Sequence, residues 1–319
     1  MSGESRKSRR WVSGLVWVLV VPFAAWAVLR VTGVDVGWWW VALVAFTPYV
    51  AAASLVVLLL AGLSRRWAPA VVALAASVAL AAAVLPRQLA DAAPPAGGPS
   101  LRVLAANLAV GAADTEALLR LVGELKPDVV ALQELTPAAK ERLENGGLRK
   151  GLPHVVDRSQ KGVTGSGIYS RYPLTEQPLI VFGRFRQARA AIRVTGGPVV
   201  EITSVHPCAP SHVGKAPCWR AGLDALPRAG EPLRVLAGDF NATLDHWAIR
   251  DLLDSGYQDA ADVTGQGFTA TWPEKWWDGL PGVAIDHVLA DRRIAVRAFS
   301  VHALPASDHR PVFAELRLP

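Results

Sequence analysis

The chain has 319 residues, 51% of them apolar and 19% charged, so it is long enough for two domains and too apolar to be disordered or an ordinary soluble protein throughout. Its formal charge of +6 and pI of 9.6 would suit a nucleic-acid binder. Residues 1–100 carry eight Lys or Arg against three acids, however, whereas residues 101–319 carry twenty-five against twenty-four, and so near-neutral a second part argues against tight non-specific DNA binding.

Three long apolar stretches come first: Trp11 to Leu29, Trp38 to Leu63 and Ala68 to Leu85. Each approaches the roughly 20 residues that cross a bilayer as a helix, and none contains a charge or shows a polar face. A cleaved signal peptide does not account for them, because the first stretch is long and two more follow. They predict three transmembrane helices in residues 1–89. Positive charges stay on the cytoplasmic side, which puts "SRKSRR" and the Arg65–Arg66 loop inside and the loop with Arg30 and Asp35 outside. Three spans then carry everything after Leu85 out of the cytoplasm, and the alanine-rich third helix decides that side.

Residues 90–100, including "DAAPPAGGPS", read as a linker, and residues 101–319 as one domain with a sizeable core. "LRVLAANL" predicts a strand. "DTEALLRLVGELKPD" predicts a helix with Leu118, Leu121, Val122 and Leu125 on one face and Asp114 or Thr115 as its cap, and "DVVALQEL" predicts a second strand. "QARAAIRV" and "VVEITSVH" predict two strands joined by a tight turn. Cys208 and Cys218 lie close together and would close a small disulfide loop in an oxidising compartment. With His212 they do not match the usual spacing of a zinc site. A strand precedes Asp239, a helix covers Asp245 to Leu253, and three short strands close the chain, around 284–289, 294–302 and 311–316. Mixed strand order with helices outside suggests an α/β protein of two packed sheets.

Polar residues stand at the ends of these apolar strands: Asn107, Glu134, His206, Asp239 with Asn241, Asp286 with His287, and Ser307, Asp308 and His309 before the last. Any one of them could be a turn former or a satisfied core residue. As a set they are costly to bury unless paired or coordinated, and they are the types that metal-assisted phosphoryl chemistry needs. Glu134, Asp308 and Asp239 offer oxygens to a hard cation such as Mg²⁺ or Mn²⁺. His309 could act as a base held by Asp286, and Asn241 and His206 could stabilise phosphate oxygens.

The order "NL", "LQE", "GSGIYSRYPL", "VHP", "GDFNA", "IDHVLA", "SDHRPV" resembles the endonuclease/exonuclease/phosphatase superfamily over essentially all of Leu101 to Pro319. The resemblance implies a DNase I-like four-layer α-β-β-α sandwich with its site where the two sheets meet at one edge. It implies Asn107 and Glu134 as the metal-side pair, with Asp308 and His309 as the closing Asp-His. Asp239 and Asn241 would form the GDxN pair, Asp286 would orient the catalytic histidine, and His206 would contact phosphate. Asp239 is the base in some members, although His309 is preferred here. The chemistry does not fix the substrate. Nucleases, phospholipase-type phosphodiesterases and lipid-phosphate hydrolases all remain open, as does a non-catalytic binder of lipid-linked cell-wall intermediates. Arg184, Arg186 and Arg189 could form a phosphate clamp or a solvated hairpin face. Trp272, Trp276 and Trp277 could sit at a membrane interface, line a ligand wall or simply pack. A helical anchor before an external catalytic domain also resembles the actinobacterial membrane proteins that confer teicoplanin resistance, which implies action on undecaprenyl-linked intermediates, most plausibly as a pyrophosphatase. Expected partners are therefore the bilayer and a lipid-linked phosphate, ahead of nucleic acid, with no protein partner.

Overall fold

A computed structural model describes residues 2–33, 37–274 and 281–319. Asp35, Trp276 and Trp277 lie outside the described residues. The chain divides into two compact units: residues 1–86 with 245–247, and residues 87–244 with 248–319.

Among its described residues the first unit holds four helices, α1 (Ser2–Thr32), α2 (Trp38–Val44), α3 (Thr47–Leu63) and α4 (Trp67–Val84). Among the described residues two apolar segments, Trp11–Thr32 and Trp67–Gln88, are long enough to cross a membrane. The middle stretch is not the single helix its composition suggested. It breaks at Ala45–Phe46 and bends by 76° into α2 and α3, and only as one broken element does it reach the same length and hydropathy. Pro48 explains the restart, because a residue with no N–H fits the first turn of a helix and not its middle. Val16, Val20, Val57, Ala61 and Ala73 pack α1, α3 and α4 together. Trp26 donates through Nε1 to Thr47 Oγ1 at 3.1 Å. Leu15, Val18, Leu55, Leu59, Val71 and Val78 stay exposed, so these helices are apolar on their outer faces too.

Among its described residues the second unit contains fourteen strands. They are β1 (Ser100–Asn107), β2 (Val129–Gln133), β3 (His154–Arg158), β4 (Ser166–Ser170), β5 (Leu174–Glu176), β6 (Ile180–Phe182), β7 (Phe185–Gln187), β8 (Arg189–Arg193), β9 (Val199–Val205), β10 (Leu233–Asp239), β11 (Tyr257–Asp259), β12 (Asp286–Asp291), β13 (Ala295–Val301) and β14 (Val312–Arg317). One six-stranded sheet runs β13-β14-β1-β2-β4-β3, the other β11-β12-β10-β9-β8-β5, and β6 pairs only with β7. Helices α5 (Thr115–Leu125), α6 (Pro137–Asn145), α7 (Leu148–Gly151), α8 (Ala216–Asp224), α9 (Trp247–Asp254) and α10 (Ala260–Val263) complete the order.

The strand, helix, strand opening is as expected: β1 and β2 pair in parallel through the α5 crossover, and Asp114 is the cap, its side chain accepting from Ala117 N–H at 2.9 Å. β8 and β9 form the expected antiparallel pair. Both faces of β1 are apolar because both are covered. Leu101, Val103 and Ala105 enter the core shared with Val200, Ile202, Val235 and Val288 of the second sheet. Leu104 and Ala106 turn the other way, toward Leu118, Leu121, Ala139 and Leu143 of α5 and α6. Residues 87–99 belong to the second unit. Asp91 N–H donates to Val263 O at 2.9 Å and Gly98 N–H to Leu318 O at 3.1 Å, so this proline-rich approach is tied to the end of α10 and to the residue after β14.

Candidate active site

Topology brings the polar strand ends to one edge. Parallel β1 and β2 end together, with Asn107 opposite Gln133 and Glu134 one step beyond. Antiparallel β14 begins where β1 ends, so Ser307, Asp308 and His309 arrive at the same edge. In the second sheet β9 and β10 run parallel to His206 and Asp239, and β12 starts with Asp286 directly opposite Asp239.

These side chains meet around Asp239, which is 1% exposed. Its Oδ1 accepts from Asn241 N–H at 2.7 Å, and its Oδ2 accepts from Asn107 Nδ2 at 3.0 Å, joining the two sheets, and from Asn241 Nδ2 at 3.3 Å. His206 Nε2 and His309 Nε2 each stand 3.6 Å from the same oxygen. Glu134 Oε1 is 3.7 Å from His206 Nε2 and 3.4 Å from Asn107 Nδ2, while its Oε2 accepts from Val110 N–H at 2.5 Å. Asp286 holds His309 Nδ1 at 2.9 Å. Seven of the eight predicted site residues thus form one connected group. Asp308 differs: its carboxylate accepts from the Trp272 indole at 3.2 Å, and its negative charge still raises the pKa of Glu134 and of His309.

The backbone is shaped for this arrangement. Among the described residues, seven non-glycine residues have positive φ, and five border the site: Ala109 (46°), Val110 (57°), Glu134 (53°), Asn241 (49°) and Ala306 (63°). A β-branched residue such as Val110 rarely adopts that region, and strain of this kind collects at functional sites. Gly238 answers a different demand. A Cβ there would lie 2.3 Å from Val205 O and 2.7 Å from Gln133 Nε2 in the facing sheet, so only glycine lets the sheets close at this edge.

Burial and charge set the protonation states. Burial pushes the Glu134 carboxyl up, against the Val110 N–H and Asn107 bonds that favour its charge. Asp239 is also pushed up by burial, with His309 pulling the other way. Burial lowers His206 despite Asp239 beside it, which keeps that ring neutral. His309 resists burial: Asp286 and Asp239 together hold it protonated and raise its pKa to about 10.

Buried acids packed this closely favour a cation. Asp239, Asp286 and His309 each offer one donor atom within 4.8 Å of the others and could hold a metal ion. Asp286 keeps both oxygens on His309 Nδ1, at 2.9 and 3.2 Å, which suits it to steering the ring. Glu134, with one oxygen toward the interior of the site, is the better hard ligand. This oxygen-rich set fits Mg²⁺ or Mn²⁺.

Several supporting contacts carried no clear sequence signal, although Ser307 itself stands among the polar strand-end residues. Ser307 Oγ donates to Asn107 O at 2.9 Å and accepts from His309 N–H at 3.1 Å. Thr271 Oγ1 accepts from the Asp286 and Ile285 N–H groups, both at 3.0 Å. Gln187 Oε1 accepts from His206 N–H at 2.9 Å. Trp219 Nε1 donates to Asn241 O at 3.0 Å, next to the Cys208–Cys218 disulfide that does form. Of the three clustered arginines, Arg189 pairs with Glu201 at 3.1 Å and is not available as a clamp, whereas Arg184 and Arg186 stay exposed on the β6–β7 hairpin.

The profile of the Endonuclease/Exonuclease/phosphatase family matches residues 104–309. No curated protein sequence matches significantly. Among solved structures, an endonuclease/exonuclease/phosphatase from Beutenbergia cavernae is 19% identical at a TM-score of 0.51, covering 69% of this chain and 72% of that one. The D. rerio TDP2 structure, complexed with a single-strand DNA product, is 17% identical at a TM-score of 0.54, covering 68% and 99%. A family protein from Leptotrichia buccalis is 15% identical at a TM-score of 0.52, covering 68% and 100%. These likenesses carry the DNase I-like fold.

Proposed function

Because the chain belongs to the endonuclease/exonuclease/phosphatase family, whose members are mostly divalent-metal-dependent hydrolases of phosphoesters, we propose that it is a phosphohydrolase working at the outer face of the cytoplasmic membrane on a lipid-linked phosphate or pyrophosphate. Undecaprenyl pyrophosphate is the leading substrate, and teicoplanin resistance would follow from its turnover. The observation that carries the reading is the union, in one chain, of this acid-lined site with helices apolar on every face. The disulfide supports an oxidising compartment. If the bent α2–α3 pair counts as one span, three crossings bring the second unit outside.

We assign Glu134, with Asn107 and Asp308 near it, to the metal, which on binding would polarise a phosphoryl oxygen and acidify water. The remaining work falls to the chain's own groups. Asp286 fixes the ring of His309, and the two acids keep that ring charged, so His309 gives a proton to the developing oxyanion or leaving group. That makes Asp239, not His309, the acceptor of the proton from water. The Asn241 and His206 side chains orient phosphate oxygens.

A phosphate-release panel on purified chain tests the reading, comparing polyprenyl pyrophosphate, sphingomyelin, inositol phosphates and plasmid DNA with Mg²⁺ or Mn²⁺ and with chelator. Metal-dependent release from polyprenyl pyrophosphate is expected. Efficient DNA degradation with no release from the lipid would make the protein a surface nuclease. Glycopeptide resistance that survives Glu134→Ala would make it a binder. A reporter at Pro319 found in the cytoplasm would overturn the outer-face placement.

A further inference from the structure

Single exposed apolar side chains are ordinary on a protein surface, and their meaning lies in where they fall. Among the described residues of 101–319, four large aliphatic side chains are exposed: Val110 (49%), Val163 (41%), Val181 (57%) and Val213 (66%). All four stand on segments that touch the site. Val110 binds Glu134 through its N–H. Val163 lies in the 159–165 loop, where Thr164 O accepts from Arg186 N–H at 3.4 Å. Val181 belongs to the β6–β7 hairpin, whose Phe185 ring packs edge-on against His206 with centroids 5.4 Å apart. Val213 lies in the disulfide-closed loop that follows His206, and the hairpin approaches that loop too, since a Cβ at Gly183 would lie 4.0 Å from Cys218 Sγ.

Charge follows the same boundary at three of these four segments. Residues 159–165, 180–187 and 206–219 contain no Asp or Glu, although residues 101–319 as a whole carry nearly as many acids as bases. They do present Lys161, Arg184, Arg186 and Lys215, all exposed. On the His206 side the mouth of the site is therefore lined by Val163, Val181 and Val213 among cations, whereas Val110 stands near the exposed acids Asp114 and Glu116.

We infer that this rim is a docking surface for an anionic lipid bilayer, holding the mouth of the site against the headgroups. Apolar tips and basic charges are the paired signals that give reversible interfacial binding, neither being sufficient alone. A water-soluble substrate would need the cations and not the valines. The inference rests on the proposed lipid-borne substrate for its purpose, and its test reads contact without turnover, so the two can fail separately.

The full chain carrying Val181→Cys, labelled with an environment-sensitive dye, is reconstituted in nanodiscs of phosphatidylcholine with or without phosphatidylglycerol. Expected is a blue shift, and quenching by a lipid-borne quencher, only in the anionic discs. Both should fade as salt rises toward about 0.5 M, where charges are screened within a few ångströms. Each of Lys161→Glu, Arg184→Glu, Arg186→Glu and Lys215→Glu should weaken the contact about five-fold or more. A label at Val213→Cys should report the same. A label that reads water in both discs, or a response indifferent to lipid charge and salt, overturns the inference. So does a response to a single-stranded oligonucleotide where anionic lipid gives none, since the rim would then serve a nucleic-acid backbone.

Discussion

Two neighbouring residues of β12, Asp286 and His287, each belong to a buried aspartate-histidine pair, and the pairs differ in one contact. His309 Nδ1 meets Asp286 at 2.9 Å, and His287 Nδ1 meets Asp259 at 2.8 Å. In both, a carboxylate overcomes burial and raises the histidine's pKa. The second nitrogen separates them. His287 Nε2 is held by Ala242 O at 2.9 Å, so both ring nitrogens donate and the cation is fixed inside the fold, propping the turn that carries Asn241. His309 Nε2 stands 3.6 Å from Asp239, too far for a hydrogen bond and open toward the site. Adjacent strand residues point to opposite faces, which is how one dipeptide supplies both a reactive pair and a structural one. Reactivity lies in what the free nitrogen meets and not in the aspartate-histidine pair itself.

The largest effect should come from removing the open pair. His309→Ala is expected to lower kcat by about 10²- to 10⁴-fold, and also to lower the thermal melt because Asp286 and Asp239 lose the cation they share, read by phosphate release and calorimetry. His287→Leu should cost stability but spare turnover. It strands Asp259 without its cation, lowers unfolding stability by about 3 to 5 kcal/mol in denaturant titration, and leaves kcat of the folded fraction within about ten-fold. If His287→Leu abolished turnover without loss of stability, the contrast between the pairs would collapse.

A pH titration sharpens the same contrast. A histidine whose folded pKa is raised above 6.5 contributes stability that is whole below about that pH and is lost as pH climbs through the folded value. With chelator present, the melting temperature should therefore fall between pH 6.5 and about 10, and His309→Gln should flatten the upper part of that fall. The smallest effect is expected at Trp219→Phe. Losing one indole bond to Asn241 O should raise KM about five-fold with little change in kcat, the mark of a positioning residue.

Much of this site was legible because each polar residue interrupts an apolar strand at its end, and buried strands do not end in Asn, Glu or Asp without cause. Asp239 and Asn241 could be singled out that way, and Gly238 beside them answers to a packing limit. Ser307 and Trp272 could be singled out, but the contacts they make were not legible, since these join residues far apart in the chain. Ser307 reaches Asn107 across 200 positions and Trp272 reaches Asp308 across 36, distances at which local pattern says nothing. The β6–β7 hairpin hid for another reason: strands of three residues leave no period to read. The break in the second apolar stretch was written in Pro48 and outvoted by composition.

The left-handed residues around the site have a consequence for engineering. Glycine at Ala109 or Ala306 would adopt the same backbone without a Cβ clash, so a screen for heat-resistant variants should be drawn to these positions. It would find them beside Glu134 and Asp308, where a looser loop can cost turnover. Thermostability and catalysis would then compete for the same few residues, and variants selected only for survival on heating should lose activity there first.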